Sequence, residues 1–140
     1  MENRLHSLEE LSEIWNDFKT SDDTYDNRKV WRLPYPTTER LLSALEWHFF
    51  YPWWDDFTLC PIQVLWTPER FLLHWKRIQQ ADLQYPIDLM YNGNKGRRCR
   101  LLVMDGMHRL VKFRLLEPRG YSVPVRIIPR TEIPNVRFDT

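Results

Sequence analysis

Val103-Met104-Asp105-Gly106-Met107-His108-Arg109-Leu110 carries an apolar run into an Asp-Gly turn, then at once into a segment holding His and Arg. Arg100-Leu101-Leu102-Val103-Met104, apolar after its first residue, predicts a strand, and Met107 to about Glu117 predicts a helix ended by Pro118-Arg119-Gly120. The first N–H groups of a helix have no internal partners and lie at the positive end of its dipole. A phosphate can accept those hydrogens, Gly106 lets the backbone come close, and Arg109 adds a fork of donors from the first turn. His108 suits a hydrogen bond or a proton exchange near neutral pH. Asp105 suits a metal-bound phosphate or the proton of a substrate hydroxyl. The same residues also make a plain helix start, with Asp as cap, Gly in the turn and Arg on a solvated face.

Outward from this turn, residues 60–140 alternate strand and helix. Pro61–Trp66 reads as a strand, and Thr67-Pro68-Glu69 opens a helix to about Asp82 that buries Phe71, Leu72, Trp75 and Ile78. Pro86–Tyr91 alternates as a second strand, and Asn92-Gly93-Asn94-Lys95-Gly96 reads as a hairpin tip. Val123–Ile128 is a last strand, where Pro124 suits an edge or a strand start. Residues 1–59 read as a helical extension. Ser7-Leu8-Glu9-Glu10 is a capping-box pattern for a helix over about 8–19, and Thr37 or Thr38 caps a second through Phe49, with Leu41, Leu42, Leu45 and Phe49 inward. The fold class is therefore α/β (α+β), a small mixed sheet with helices preceded by two N-terminal helices, with domains at 1–59 and 60–140.

The 140 residues, 43% hydrophobic, suffice for a buried core. The net charge of +1 hides an asymmetry: residues 1–59 hold 12 acids against 6 Lys/Arg, and residues 60–140 hold 7 against 14. A basic half suits an anionic partner, or simply attraction between the halves. Cys60 and Cys99 form no C-x-x-C pair, and no His and carboxylates show metal spacing, so a disulfide framework and a metal site are not expected. No apolar stretch approaches a membrane span, and the start Met1-Glu2-Asn3-Arg4 lacks the pattern of a signal peptide, which makes the cytoplasm the expected location.

The order strand, helix, strand, Gly turn, strand, Asp-Gly-Met-His-Arg, helix, Val-Pro-Val strand resembles the ParB/sulfiredoxin superfamily over roughly residues 60–130. The resemblance implies a bound nucleotide (ATP/ADP or CTP), with Mg²⁺, its phosphates on a Gly-x-x-Arg motif that Gly106 and Arg109 match. Sulfiredoxins carry Cys where this chain has Met107, and a thioether supplies no thiolate. Chromosome-partitioning ParB proteins add a DNA-binding module, and with only a short tail from the last strand to Thr140 a partition role is not expected. The Asp-Gly-x-His-Arg turn is most similar to that of the superfamily's free-serine kinases. That likeness implies phosphoryl transfer to a small hydroxyl, with Asp105 or Glu69 as base, His108 stabilising developing charge, and Gly106, Met107, His108 and Arg109 at the nucleotide. Favourable charge in a first helical turn accounts for Glu69 equally.

A non-catalytic nucleotide- or DNA-binding module is the alternative, and Lys95, Arg97, Arg98 and Arg100 offer contacts to nucleic-acid phosphates or a charged edge that discourages strand pairing. His74 and Arg77, on the helix after Thr67, lie one turn apart and suit either the same pocket or the surface. His48, beside Trp47 and Phe49, reads as packed or partly exposed; Tyr51-Pro52-Trp53-Trp54 reads as packing between the two halves, with a partner site or a lid as the alternative.

Overall fold

Apolar residues at alternate positions on three strands face two different layers, which decides how this chain folds. A computed structural model describes residues 25–55, 58–91, 101–116 and 121–139. Its sheet contains β1 (Thr38–Leu41), β2 (Ile87–Tyr91), β3 (Leu101–Asp105) and β4 (Ser122–Ile127), in the order β1-β4-β2-β3. β1 runs antiparallel to β4, β4 parallel to β2, and β2 antiparallel to β3. Ile87 and Leu89 of β2 and Val123 and Val125 of β4 face one core; Met90, Met104 and Ile128 face a second. Both faces are covered, so β2 is buried from Ile87 to Met90 even though Asp88 interrupts its apolar run.

The first face carries α2 (Pro61–Trp66), α3 (Leu72–Gln80) and α4 (Met107–Leu116), through Val64, Ile78, Leu110, Val111 and Phe113. The second carries α1 (Asn27–Trp31) and α5 (Ile133–Val136), through Val30, Ile133 and Val136. A buried ion pair fastens α1 to the sheet. Arg126 Nε donates to Asp88 Oδ1 at 2.7 Å, while its terminal nitrogens donate to the carbonyls of Val30 and Leu33.

The antiparallel pairing of β2 with β3, the helix from Met107 and the final strand agree with the sequence; the expected turn Asn92-Gly93-Asn94-Lys95-Gly96 and the helix stop Pro118-Arg119-Gly120 lie outside the described residues. Other expectations do not agree, among them the burial of Leu72, which is exposed at the first position of α3. Pro61–Trp66 is a helix: Pro61 sits at its first position, and Gln63 Oε1 accepts the Cys60 N–H at 2.8 Å, closing the first turn. The second N-terminal helix is instead β1 followed by 3₁₀ turns at Leu42–Ala44 and Glu46–Phe50; these still bury Leu42, Leu45 and Phe49 but leave Leu41 exposed. β1 then flanks β4, so Pro124 is not at a sheet edge; it lies opposite Glu39 near the start of β4, the other placement expected of it, at the end that β2 does not reach.

β1 and Leu42, Leu45 and Phe49, all before residue 60, belong to the same sheet and core as the strands after it. The helix expected over 8–19 lies outside the described residues. His48 is packed, as its neighbours imply. Its Nδ1–H donates to the Leu45 carbonyl at 2.8 Å, and its Nε2 accepts the Val103 N–H of β3 at 3.2 Å, which fixes a neutral tautomer. Among the described residues no helix is long and apolar enough to cross a membrane.

Candidate functional site

β3 ends at Asp105 and α4 begins at Met107, so the whole turn between them is Gly106, whose φ is +106°. That backbone conformation favours glycine, and a second constraint acts at the same atom. A Cβ on Gly106 would lie 3.0 Å from Arg109 Nη2 and 3.1 Å from its Nε, so the guanidinium occupies the space that a side chain would need. Arg109 reaches back one turn to Asp105, with Nη2 to Oδ2 at 3.0 Å. Trp31 Nε1 donates to the same Oδ2, and Asn27 Nδ2 lies 3.5 Å from Oδ1. The first intrahelical bond of α4 runs from Leu110 N–H to the Gly106 carbonyl, at 2.8 Å. The amides of Met107, His108 and Arg109 therefore precede the helical ladder.

These residues form one wall of a cleft of about 1090 Å³. Asp105, Gly106, Met107, His108 and Arg109 all line it, together with Trp31, Trp53, Trp54 and Tyr85 and the charged Arg77 and Asp82. Asp88 and Arg126 also reach it from the sheet. Burial raises the Asp88 carboxyl against the lowering effect of Arg126, and the Asp105 carboxylate adds to the rise.

His108 does not stand alone. Its Nε2 lies 3.1 Å from His74 Nδ1, and His74 Nε2 lies 2.9 Å from Asp55 Oδ1. Trp54 stacks on both imidazoles, with ring centroids 4.4 Å from each. Two local structures bring these groups together. Trp54 bridges to Leu59, and the adjacent Asp55 has φ +54°, a left-handed conformation that Asp tolerates better than most residues. Lys112 Nζ on α4 donates to the carbonyls of Gln79 and Ala81 at the end of α3, at 2.7 and 2.8 Å, which clamps the two histidine-bearing helices together. Burial, then the neighbouring His74 and Arg77, push the His108 pKa down to about 4, with Asp105 opposing.

Glu69 is exposed in the 3₁₀ turn Pro68–Arg70, which follows a helix rather than a strand, and it is not among the residues lining the cleft. Lys95, Arg97, Arg98 and Arg100 lie outside the described residues. Arg77 lines the cleft; His74 does not, but is buried behind it in contact with His108. Trp31, Trp54 and Asp55 are added by the fold, and no linear spacing ties them to Asp105 or His108. A signal for Asp88 and Arg126 is present in the sequence: each is a charge inside an apolar strand, and the two are opposite in sign. No family model matches the chain, and neither does any curated protein or solved structure.

Proposed function

We propose that the cleft binds a nucleotide (ATP/ADP or CTP) and transfers its terminal phosphoryl group to a small hydroxyl substrate. The observation that carries this reading is the joint placement of Arg109 and the first amides of α4 on a cleft walled by Trp31, Trp53, Trp54 and Tyr85. Guanidinium and helix amides suit phosphates, and aromatic faces suit a base. Among the described residues the Asp105 bond engages only Nη2 of Arg109, which leaves the rest of the fork for phosphate oxygens.

Asp105 acts here as the anchor of Arg109 and Trp31. With donors on both its oxygens it presents no ready metal ligand, so Mg²⁺ belongs with the nucleotide's own phosphates. The engaged Asp105 and the exposed Glu69 leave His108 as the group that meets the acceptor.

A thermal-shift series with ATP, ADP and CTP, with and without Mg²⁺, tests the reading. Stabilisation of the wild type that disappears in Arg109→Ala supports it, since a ligand bound only by the folded state raises the melting temperature. If no nucleotide stabilises the wild type, the reading is wrong. Binding without phosphoryl transfer would instead favour the non-catalytic module.

A further inference from the structure

Asp55, His74 and His108 form a continuous row of polar contacts from the turn after Trp54 to the cleft wall. The two imidazole planes differ by 12°, and the Trp54 indole lies within 12° of both. A shared plane puts the ring hydrogens and lone pairs in line, which is the arrangement that proton transfer between rings requires.

Elementary hydrogen bonding orders the protons. An ionised Asp55 only accepts, so His74 Nε2 carries a hydrogen. Where His74 is neutral its Nδ1 is then bare and takes the hydrogen of His108 Nε2. His108 is left with a bare Nδ1, and that atom makes no hydrogen bond to any described residue.

We propose that Asp55 and His74 are a proton relay that makes His108 the general base of the cleft, acting on the hydroxyl of the phosphoryl acceptor. The substrate class rests on the phosphoryl-transfer reading; the proton order does not. In the step, the acceptor's hydroxyl proton moves to His108 Nδ1. The oxygen's electron pair forms the new O–P bond, and the bond from phosphorus to the bridging oxygen breaks, its electrons leaving with the nucleoside diphosphate. The Nε2 proton of His108 passes to His74 Nδ1, so the positive charge comes to rest on His74, beside the Asp55 carboxylate and against the face of Trp54.

Burial, His74 and Arg77 leave His108 a poor holder of a proton, with only Asp105 opposing them. A lone imidazole in that setting would be a weak base, and the relay removes the charge to a position where a carboxylate meets it. His108 touches the reacting atoms; His74 and Asp55 are positioning residues that act through it.

Two measurements on the full chain decide the matter. Long-range ¹H–¹⁵N correlation of histidine-labelled protein at neutral pH should show His108 protonated at Nε2 and bare at Nδ1. His74→Phe keeps the stack on Trp54 but removes the acceptor, and should release His108 into a mixture of tautomers. A wild-type His108 carrying its hydrogen on Nδ1 overturns the relay. Release of inorganic phosphate from ATP with Mg²⁺, water serving as acceptor, should fall about 10²-fold or more in kcat for His74→Phe and Asp55→Asn, with KM for ATP within about threefold. The acid limb of the kcat–pH profile should move in both variants. Equal kcat and an unmoved profile also overturn the relay. A wild type that binds ATP and releases no phosphate overturns the phosphoryl-transfer reading instead, while the tautomer measurement still decides the proton order.

Discussion

Asp105 and Arg109 are joined by an ion pair of 3.0 Å that folds the guanidinium back over Gly106. The pair spans one turn of α4 and fixes an arginine whose long side chain would otherwise sample many rotamers. Its geometry depends on a residue that has no side chain.

Gly106→Ala should therefore cost about 1–3 kcal/mol of stability, since it forces a left-handed φ on alanine and pushes Arg109 from its seat. Denaturant midpoints would show the loss, and nucleotide stabilisation should weaken with it. An unchanged midpoint would mean that the turn relaxes freely.

Arg126→Met should destabilise by about 3–5 kcal/mol, because it leaves Asp88 buried without its guanidinium and frees the carbonyls of Val30 and Leu33. The pH dependence has a definite sign. Burial already raises Asp88 above the usual carboxylate value, so the folded state binds its proton more tightly than the unfolded chain does. The variant should therefore regain stability as pH falls from neutral toward that raised value. Chemical denaturation at pH 7 and pH 5 would test this; a variant that only loses stability on acidification contradicts it.

The depressed His108 gives the opposite slope. Its folded-state pKa of about 4 lies below the ordinary 6.5, so between those values the unfolded chain binds the extra proton. The contribution is complete above pH 6.5 and is lost as pH falls toward 4, a change on the order of 2 kcal/mol once solvent screening is allowed for. His108→Phe should flatten this part of the stability–pH curve, and an identical curve in the variant would refute the assignment.

Lys112→Met removes the ammonium that closes the end of α3, for a loss of about 1–2 kcal/mol. Amide hydrogen exchange should quicken in the last turn of α3 and spread toward His74. Protection unchanged in α3 would show that the clamp does not matter.

The pairing of β2 with β3, the Asp-Gly turn and α4 are legible in the sequence because local signals agree there: an apolar run, a glycine turn and a helix stop. Pro61–Trp66 is not, since a short apolar run suits a buried strand or a helix turn equally, and Cys60 is not a residue that advertises a cap. Leu42, Leu45 and Phe49 have helical spacing, yet consecutive 3₁₀ turns bury them as well. At the site, Asp105 through Arg109 are contiguous and visible. Asp55, His74 and His108 come from three separate segments, and only the packing of α3 on α4 and the turn after Trp54 bring them into contact.

The histidine at the core's margin has a consequence for self-association. β3 is an outer strand, and an outer strand's unsatisfied amides are a template on which another chain can add. His48 Nε2 takes the amide of Val103, at the middle of that strand, so a foreign strand finds its central attachment point already filled. A neutral imidazole thereby serves as a plug against polymerisation.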